Sequence, residues 1–256
     1  MKNAHPKNRI RLWAVLVWLL VWQGAGMAFE RIWPHGHLLL ATPADALVRL
    51  AELAVTAAFW KTVALSAAHI FGGFLLSCAL AVVLASLSAA SRVLRELLYP
   101  IVAVVKAVPV VSFIILALVW LKAAQLSLFI SALMVFPPVY LNVLEGIGAA
   151  DEKLLEMARV FRVPFGRRLR GIYLPAVLPH FRSAVSLGLG LCWKSGVAAE
   201  VIGLPYGTVG EALYNAKVYY MTADLFAWTA VIVAVSVTFE KLFLRAVDAW
   251  AGKEGL

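Results

Sequence analysis

The sequence has little charge and almost no cysteine, and each shortage excludes a class of protein. Of its 256 residues, 14% are charged and 63% are hydrophobic, with a mean hydropathy of +0.88. A single soluble core cannot bury so large an apolar fraction. Both cysteines, Cys78 and Cys192, fall in hydrophobic runs, which argues against a disulfide framework or a cysteine metal site. The composition therefore indicates a polytopic membrane protein.

The residues needed for catalysis or metal binding are not clustered either. The five histidines are scattered, and His35 with His37 alone cannot form a metal site. An integral-membrane enzyme, the first alternative, needs His, Asp or Ser gathered at one membrane face. A G-x-x-x-x-G-K-[ST] phosphate loop is also missing, so the chain is not expected to bind ATP in that manner. We expect no catalytic residue, no metal and no bound cofactor.

Long apolar runs predict six transmembrane helices and an all-α membrane bundle. A hydrocarbon core of about 30 Å needs roughly 20 apolar residues per helix. Pro100 and Pro109 predict a bent third span, and Pro137 with Pro138 predicts a break in the fourth. Such bends are typical of helices that line a path, although kinks in a purely structural bundle explain them equally well. The predicted spans are 12–29, 62–90, 98–121, 126–147, 184–203 and 225–244.

The distribution of lysine and arginine along the sequence predicts the orientation of the chain in the membrane. With a cytoplasmic N-terminus, sixteen of the 23 basic residues fall in cytoplasmic segments and five outside, while Lys106 and Lys194 lie at membrane depth. The positive-inside rule therefore places both termini on the cytoplasmic side of the membrane. This asymmetry explains the net charge of +9 without nucleic acid. The first span is expected to be an uncleaved helix, since its apolar run exceeds that of a typical signal peptide. The cytoplasmic residues counted near the N-terminus are Lys2, Lys7, Arg9 and Arg11.

The densest positive charge lies in the loop 149–182, between the fourth and fifth spans. Residues 151–161 have helical patterning and are followed by Pro164 and Gly166, which predicts a short helix held crosswise beneath the bundle. Basic residues here are also explained by topology and by contact with anionic lipid headgroups. The apolar positions of the helix are Leu154, Leu155, Ala158 and Phe161, and its polar positions include Glu156 and Arg159.

The spacing within this loop resembles the coupling segment of permease subunits of ABC importers. That signature is Glu-Ala-Ala, three residues, Gly, nine residues and Ile-x-Leu-Pro. Here Glu156, Met157 and Ala158 occupy the first positions, and Ile172, Leu174 and Pro175 the last. Two residues depart from it, Met157 in place of alanine and Arg162 in place of glycine. The resemblance implies a surface that an ATPase binds, formed by Glu156, Met157, Ala158, Arg159, Phe161, Arg162, Gly166, Ile172, Leu174 and Pro175.

Residues 58–246 are more narrowly similar to the nitrate, sulfonate, taurine and bicarbonate group of these permeases. The similarity rests on the segments 106–109, 136–137, 142–146 and 198–203. It implies a type I importer permease fold in the inner membrane of a prokaryote. It also implies two cytoplasmic ATPase subunits that use ATP and Mg, an extracytoplasmic substrate-binding protein and a second copy of the permease, which forms a homodimer with the first. The chain itself would supply the path for a small, anionic solute.

Ionisable residues at membrane depth are candidates for the path. Lys194 and Glu200 are six residues apart on the fifth span and fall on different faces of a helix. Lys194 has three explanations: attraction of an anion, pairing with an acidic group, or snorkelling to the surface. Lys106 is better explained by snorkelling or helix bridging than by substrate binding, and Glu200 by holding the outer end of the fifth span near the segment 203–217. With Pro109 at the predicted bend, these residues form the candidate translocation path.

Three segments are expected: 1–57 with the first span and an external amphipathic helix that begins at Pro43 after the cap Thr42, 58–246 as the permease core, and 247–256 as a short cytoplasmic tail. The second alternative is a channel or secondary transporter that works without ATP. It would keep the bent helices and the buried charge but would not need the Glu-x-Ala to Leu-Pro loop.

Overall fold

In a computed structural model of the chain, residues 12–33 and 36–254 are described, and this part is α-helical with short connections and no strand. The all-α prediction is confirmed. Lys2, Lys7, Arg9, Arg11, His5 and His35 lie outside the described residues. The helices are α1 (Leu12–Ile32), α2 (Gly36–Leu39), α3 (Pro43–Ala54), α4 (Ala57–Ala90), α5 (Arg92–Ala107), α6 (Val110–Ala117), α7 (Ala123–Gly148), α8 (Glu152–Val160), α9 (Phe165–Arg168), α10 (Leu174–Gly203), α11 (Val209–Val218) and α12 (Thr222–Glu254), with a π-helical turn at Leu169–Tyr173.

The chain divides into two compact units, the first of which comprises residues 1–60 and 212–230. Its helix α3 starts as predicted, because the Thr42 hydroxyl accepts from the Asp45 amide and the Asp45 carboxylate accepts from the Thr42 amide. Arg49 donates to Asp224 at the start of α12 and to Glu52, and these contacts raise the pKa of its guanidinium. This ion pair fixes α3 against the start of α12.

The second unit, residues 61–211 and 231–256, has α4, α7 and α10 at its centre. α7 and α10 run in opposite directions, joined by residues 149–173 at one end of the bundle, which we call the loop end. Gly73 allows α4 to approach α7 closely, since a Cβ there would lie 2.3 Å from the Leu128 carbonyl oxygen. Nearer the loop end, the Tyr140 hydroxyl donates to Ser88 Oγ at 3.0 Å.

The second half of α12 packs on this centre through aromatic and polar contacts. Phe239 lies 4.9 Å from the Phe71 ring, measured between centroids. Ser186 of α10 donates to Glu240 at 2.6 Å. Towards the end of α12, Arg182 forms an ion pair with Asp248, which lowers the pKa of that carboxyl. Polar bonds between α10 and α12 therefore continue along the bundle from one helix turn to the next.

The third predicted span is bent as expected, but it is not one crossing helix. α5 and α6 meet at an angle of 105° at Val108 and Pro109. Five α5 residues between Tyr99 and Ala107 line a groove to which α7 contributes Leu141. α5 therefore lies against α7 near Leu141. α6 then packs on α7 and α10 at the opposite end of the bundle, around Ile114, Ile130 and Ala199.

Other span predictions need correction. α7 is continuous through Pro137 and Pro138, so the predicted break is wrong. α10 begins at Leu174 rather than at 184, because Pro175 occupies its first turn, where a missing amide costs no hydrogen bond. By length and hydropathy, four described helices are able to span a membrane, or five if the bent pair counts as one. The predicted sixth span lies within α12 but is not among them, so the count of six is not confirmed.

Candidate functional site

The predicted crosswise helix is present in the loop 149–173 as α8. Asp151 caps it, with its carboxylate accepting the Lys153 amide at 2.8 Å. A carboxylate at this end also complements the positive end of the helix dipole. The helix ends at Val160, within one residue of the predicted end. The local sequence signals therefore position α8 without long-range contacts.

The apolar residues of α8 do not form one face. Ala158 is buried and Leu155 is half-buried, so these two side chains face the protein. Leu154, Met157 and Phe161 are exposed, with 74% of Phe161 accessible, and their spacing of three and four residues aligns them along one side of the helix. Val160 is exposed by 77% beside them. Leu154, Met157, Val160 and Phe161 form an exposed apolar surface, here called the α8 surface.

Arg162 occupies the position where the resembling family has glycine, and its backbone explains that preference. Its φ is +52°, in the left-handed region. The Val163 amide donates to the Ala158 carbonyl at 2.9 Å and the Arg162 amide to the Arg159 carbonyl at 3.1 Å. This pair of bonds is a Schellman ending. The turn after α8 is thus the one that glycine favours, formed here with arginine.

The remainder of the loop leads back to the bundle through short turns. Pro164 precedes α9, Gly166 is exposed, and the Arg168 guanidinium lies 5.9 Å from the centre of the Phe165 ring. Ile172 is half-buried within the π-helical turn, and Leu174 and Pro175 begin α10. Among the described residues, no carboxylate lies within 4 Å of the loop arginines, which are Arg159, Arg162, Arg167, Arg168 and Arg170. Beside the α8 surface, the loop therefore carries positive charge that its own chain does not neutralise.

Lys106 lies on the exposed side of α5, and Pro109 follows shortly after the end of that helix. Lys106 lines the groove with Tyr99 and Leu141, an open space of about 290 Å³. In the described part of the chain, no carboxylate lies within 4 Å of its ammonium group. Pro109 is exposed at the bend and precedes the first amides of α6, which receive no side-chain cap.

Lys194 and Glu200 lie on different faces of α10, as predicted. Lys194 is exposed, and the ion pairs of the described residues do not include it, which leaves its pairing with an acidic group without support. Glu200 is completely buried, and its carboxylate accepts from Ser66 Oγ at 2.8 Å and from the Gly210 amide at 3.1 Å. Nothing in the sequence indicates Ser66 as a partner, because it lies 134 positions away, whereas Gly210 lies in the segment 203–217 near which Glu200 was expected.

The two lysines lie at different depths of the bundle. Gly146 of α7 faces Val177 and His180 of α10, which places Leu141 level with the third turn of α10. Lys194 is then roughly 16 Å farther from the loop end than Leu141, which lines the groove together with Lys106. The described residues contain no group of three His, Cys, Asp or Glu side chains that could hold a metal ion. The arrangement offers two exposed cations at successive depths and a basic, apolar surface at one end.

Residues 79–251 match the family described as "Binding-protein-dependent transport system inner membrane component". Among curated proteins, the chain is 29% identical over 216 residues to the putative aliphatic sulfonates transport permease protein SsuC of Bacillus subtilis, covering 83% of this chain and 78% of that one. It is 24% identical to the taurine transport system permease protein TauC of Escherichia coli, with 84% and 82% covered. It is 23% identical to the bicarbonate transport system permease protein CmpB of Synechococcus elongatus, with 75% and 69% covered.

Proposed function

Because this chain belongs to the family of binding-protein-dependent transport system inner membrane components, as an ABC importer permease of the sulfonate, taurine and bicarbonate group, we propose that it forms the path through which a small anion is imported with energy from ATP. An external binding protein delivers the anion. A partner subunit hydrolyses ATP with Mg, and a second copy of this chain completes the path.

The observation that carries this proposal is the α8 surface beside unneutralised arginines. Four apolar side chains, among them Val160 and Phe161, are exposed together on a helix that its own cap and Schellman ending hold rigid. Large exposed apolar patches rimmed by polar residues are typical of protein contacts. An ATPase that seats this surface in a groove and places acidic residues against Arg159 accounts for both features. A lipid anchor accounts for the arginines alone.

The orientation follows from the same partner. An ATPase that uses cytoplasmic ATP requires the loop end to be cytoplasmic, which agrees with the excess of lysine and arginine on that side. Both termini are then cytoplasmic, and residues 204–208 face outward. Closure of the ATPase dimer would move α8 as a rigid body and tilt the bundle so that one end of the path opens as the other closes.

Anions are the substrate class that the exposed lysines and the relatives together favour. Lys194 and Lys106 are both exposed and have no carboxylate partner in the described part of the chain. A cation that is costly at membrane depth and unpaired is a candidate for substrate contact. Sulfonates, taurine and bicarbonate, the solutes in the relatives' names, are small and carry a negatively charged group. The choice among them rests with the binding protein.

Co-purification tests the proposal. The tagged chain is expressed with its neighbouring genes and extracted in detergent. Two variants are compared with it: Phe161→Asp, which places a charge on the α8 surface, and Glu156→Arg, which reverses a charge on the polar side of α8. We expect an ATPase to co-purify with the wild type and to be reduced at least about tenfold by Phe161→Asp, since a buried unpaired charge opposes binding. Val55→Asp, at an exposed apolar position outside the predicted spans and far from α8 in the sequence, is the matched control. Equal recovery of an ATPase with Phe161→Asp would contradict the proposal.

The alternative function is an ATP-independent channel or secondary transporter. It predicts that no ATPase is recovered with any variant and that the anion flux follows its gradient. The exposed α8 surface has no role in such a protein.

A further inference from the structure

A second polar cluster lies inside the bundle, at the end opposite the loop end. It consists of Ser66 of α4, Glu200 of α10 and the first amides of α11, and we call it the Glu200 cluster. Glu200 Oε2 accepts from Ser66 Oγ at 2.8 Å and from the Gly210 amide at 3.1 Å. Ser66 Oγ in turn accepts from the Val209 amide at 2.9 Å. All four residues are buried.

The Glu200 cluster fixes the start of α11 to two other helices. The first amides of a helix have no partner within it. Here the Val209 and Gly210 amides bond to side chains from α4 and α10, while the Glu211 amide bonds to the Thr208 hydroxyl at 3.3 Å. A carboxylate at this position also complements the helix dipole. Most helices are capped by a neighbouring residue in the chain. Here the caps Ser66 and Glu200 belong to other helices, so they also hold the segment 204–208 against the bundle.

The contact is close enough to depend on glycine. A Cβ at Gly210 would lie 2.2 Å from Glu200 Cβ and 2.6 Å from the Val201 amide nitrogen. The segment before it turns sharply, with left-handed backbones at Leu204 and Gly207. The start of α11 therefore rests directly on the last turn of α10.

Only one of the two oxygens of the Glu200 carboxylate is hydrogen-bonded. Glu200 Oε1 is buried without a hydrogen-bond partner, and so is the hydroxyl of Ser127 on α7. Leu126 and Ala199, which precede Ser127 and Glu200, belong to the same buried apolar cluster, so the two groups lie on neighbouring stretches of α7 and α10 without a bond between them. Burying polar groups without partners is costly. The unpaired Ser127 hydroxyl is therefore available as a second partner for the Glu200 carboxylate.

We propose that Glu200 is a positioning residue of the outer gate of the path, an inference that rests on the proposed import function. In the closed state Glu200 and Ser66 hold the start of α11 and the segment 204–208 across α4 and α10. When the outer end opens, the Gly210 and Val209 amides leave, and the carboxylate turns to Ser127. Ser127 makes this exchange possible as the replacement partner, because a buried carboxylate without any hydrogen bond would cost too much free energy inside an apolar bundle. The two arrangements are discrete, as a gate requires.

Hydrogen exchange tests the closed state without any transport. The purified complex of permease and ATPase is placed in lipid nanodiscs, and the exchange of the amides of 208–211 is followed by mass spectrometry. Glu200→Ala and Ser66→Ala should speed this exchange by at least about tenfold, the effect of losing a hydrogen bond to a charged group. Glu200→Gln, whose amide oxygen still accepts both bonds, should stay within about threefold of the wild type. Ser131→Ala, which removes another buried hydroxyl bond of α7, is the control and should have no effect.

The gate itself is tested by the anion transported per ATP hydrolysed, in the same complexes in proteoliposomes. Glu200→Ala should lower this ratio by at least about fivefold with ATPase activity retained, and Ser127→Ala should lower it without changing the exchange of 208–211 in the resting complex. Unchanged exchange in a folded Glu200→Ala complex, or an unchanged transport ratio, would overturn the inference. If Glu200→Ala does not assemble, Ser66→Ala decides by the same criteria. Wild-type complexes that show no ATP-dependent uptake would instead refute the proposed function, while the exchange data still decide whether Glu200 holds α11.

Discussion

Arg162 is the residue at which backbone conformation and side-chain type disagree most clearly. Its φ of +52° follows from the Schellman ending of α8. A left-handed conformation costs an L-residue about 1–2 kcal/mol that glycine does not lose. The sequence departs from the family signature at this position, yet the backbone retains the turn. The side chain therefore reduces the stability of the turn without changing its geometry.

Arg162→Gly is expected to stabilise the turn after α8 by about 1 kcal/mol. The local gain is measured as slower proteolysis or slower hydrogen exchange of residues 160–168 in the purified complex. Arg159→Gly serves as the control, because it places glycine in the helix interior and should destabilise α8 by about 1 kcal/mol. Faster exchange in Arg162→Gly would mean that the arginine side chain holds the turn through a contact that its exposure does not indicate.

Lys194 is the residue whose charge the account assigns to the path. Lys194→Met keeps most of its apolar length, so the bundle is expected to assemble normally while anion uptake falls roughly tenfold or more. Lys241→Met, at an exposed position of α12, is the control and should leave uptake unchanged. Uptake by the wild type, Lys194→Met and Lys241→Met is compared at equal amounts of assembled complex. Unaltered uptake with Lys194→Met would remove this residue from the path.

At the scale of single elements, close helix packing decides which glycines tolerate a larger side chain. A Cβ at Gly73 would meet the Leu128 carbonyl oxygen at 2.3 Å, whereas the nearest atom to a Cβ at Gly72 is 3.8 Å away. Both substitutions by alanine gain the same helix propensity of about 1 kcal/mol. Only Gly73→Ala also forces α4 away from α7, at a cost of about 1–3 kcal/mol or more.

Gly73→Ala should therefore lower the melting temperature of the purified chain, and Gly72→Ala should leave it unchanged or raise it. The two variants differ by one position on the same helix, so expression and detergent effects are matched. Equal melting temperatures would show that α4 and α7 are farther apart than described.

The local sequence predicts single elements well and their placement poorly. The caps Thr42 and Asp151 and the bend at Pro109 act on neighbouring residues, so they were recognised from spacing. Pro137 and Pro138 did not break α7, because packing on both sides maintains the helix. The position of α5 against α7 depends on contacts made by residues far apart in sequence. Hydropathy runs therefore merged α5 and α6 into one span.

For the candidate site too, the sequence predicts local features but not the contacts between distant elements. The spacing from Glu156 to Pro175 predicts a coupling loop, because its signature is continuous in sequence. Periodicity could not show that Ala158 turns inward while Phe161 is exposed, since that depends on what lies above α8. Ser66 and Gly210 carry no sequence signal that links them to Glu200. They become visible only when α4, α10 and α11 are packed together.

At the scale of the whole molecule, the orientation in the membrane determines which end meets the ATPase. Both natural cysteines are buried, so introduced cysteines report accessibility with little background. Tyr206 is exposed by 91% in the segment 204–208, and Phe161 by 74% on the α8 surface. In intact cells, a membrane-impermeant maleimide should label Tyr206→Cys and should label Phe161→Cys only after the membrane is opened and the bound ATPase is removed. The reverse pattern would contradict the orientation and place the α8 surface outside the cell.

The central claim is that this chain moves an anion when a partner hydrolyses ATP. The most direct test is uptake into proteoliposomes that contain the chain, its co-purified ATPase and the binding protein loaded with a radiolabelled sulfonate, taurine or bicarbonate. The account predicts accumulation against the gradient that requires ATP, Mg and the binding protein and is lost with Phe161→Asp. Flux that follows the gradient and is indifferent to ATP would contradict the account and identify the chain as an ATP-independent channel or secondary transporter.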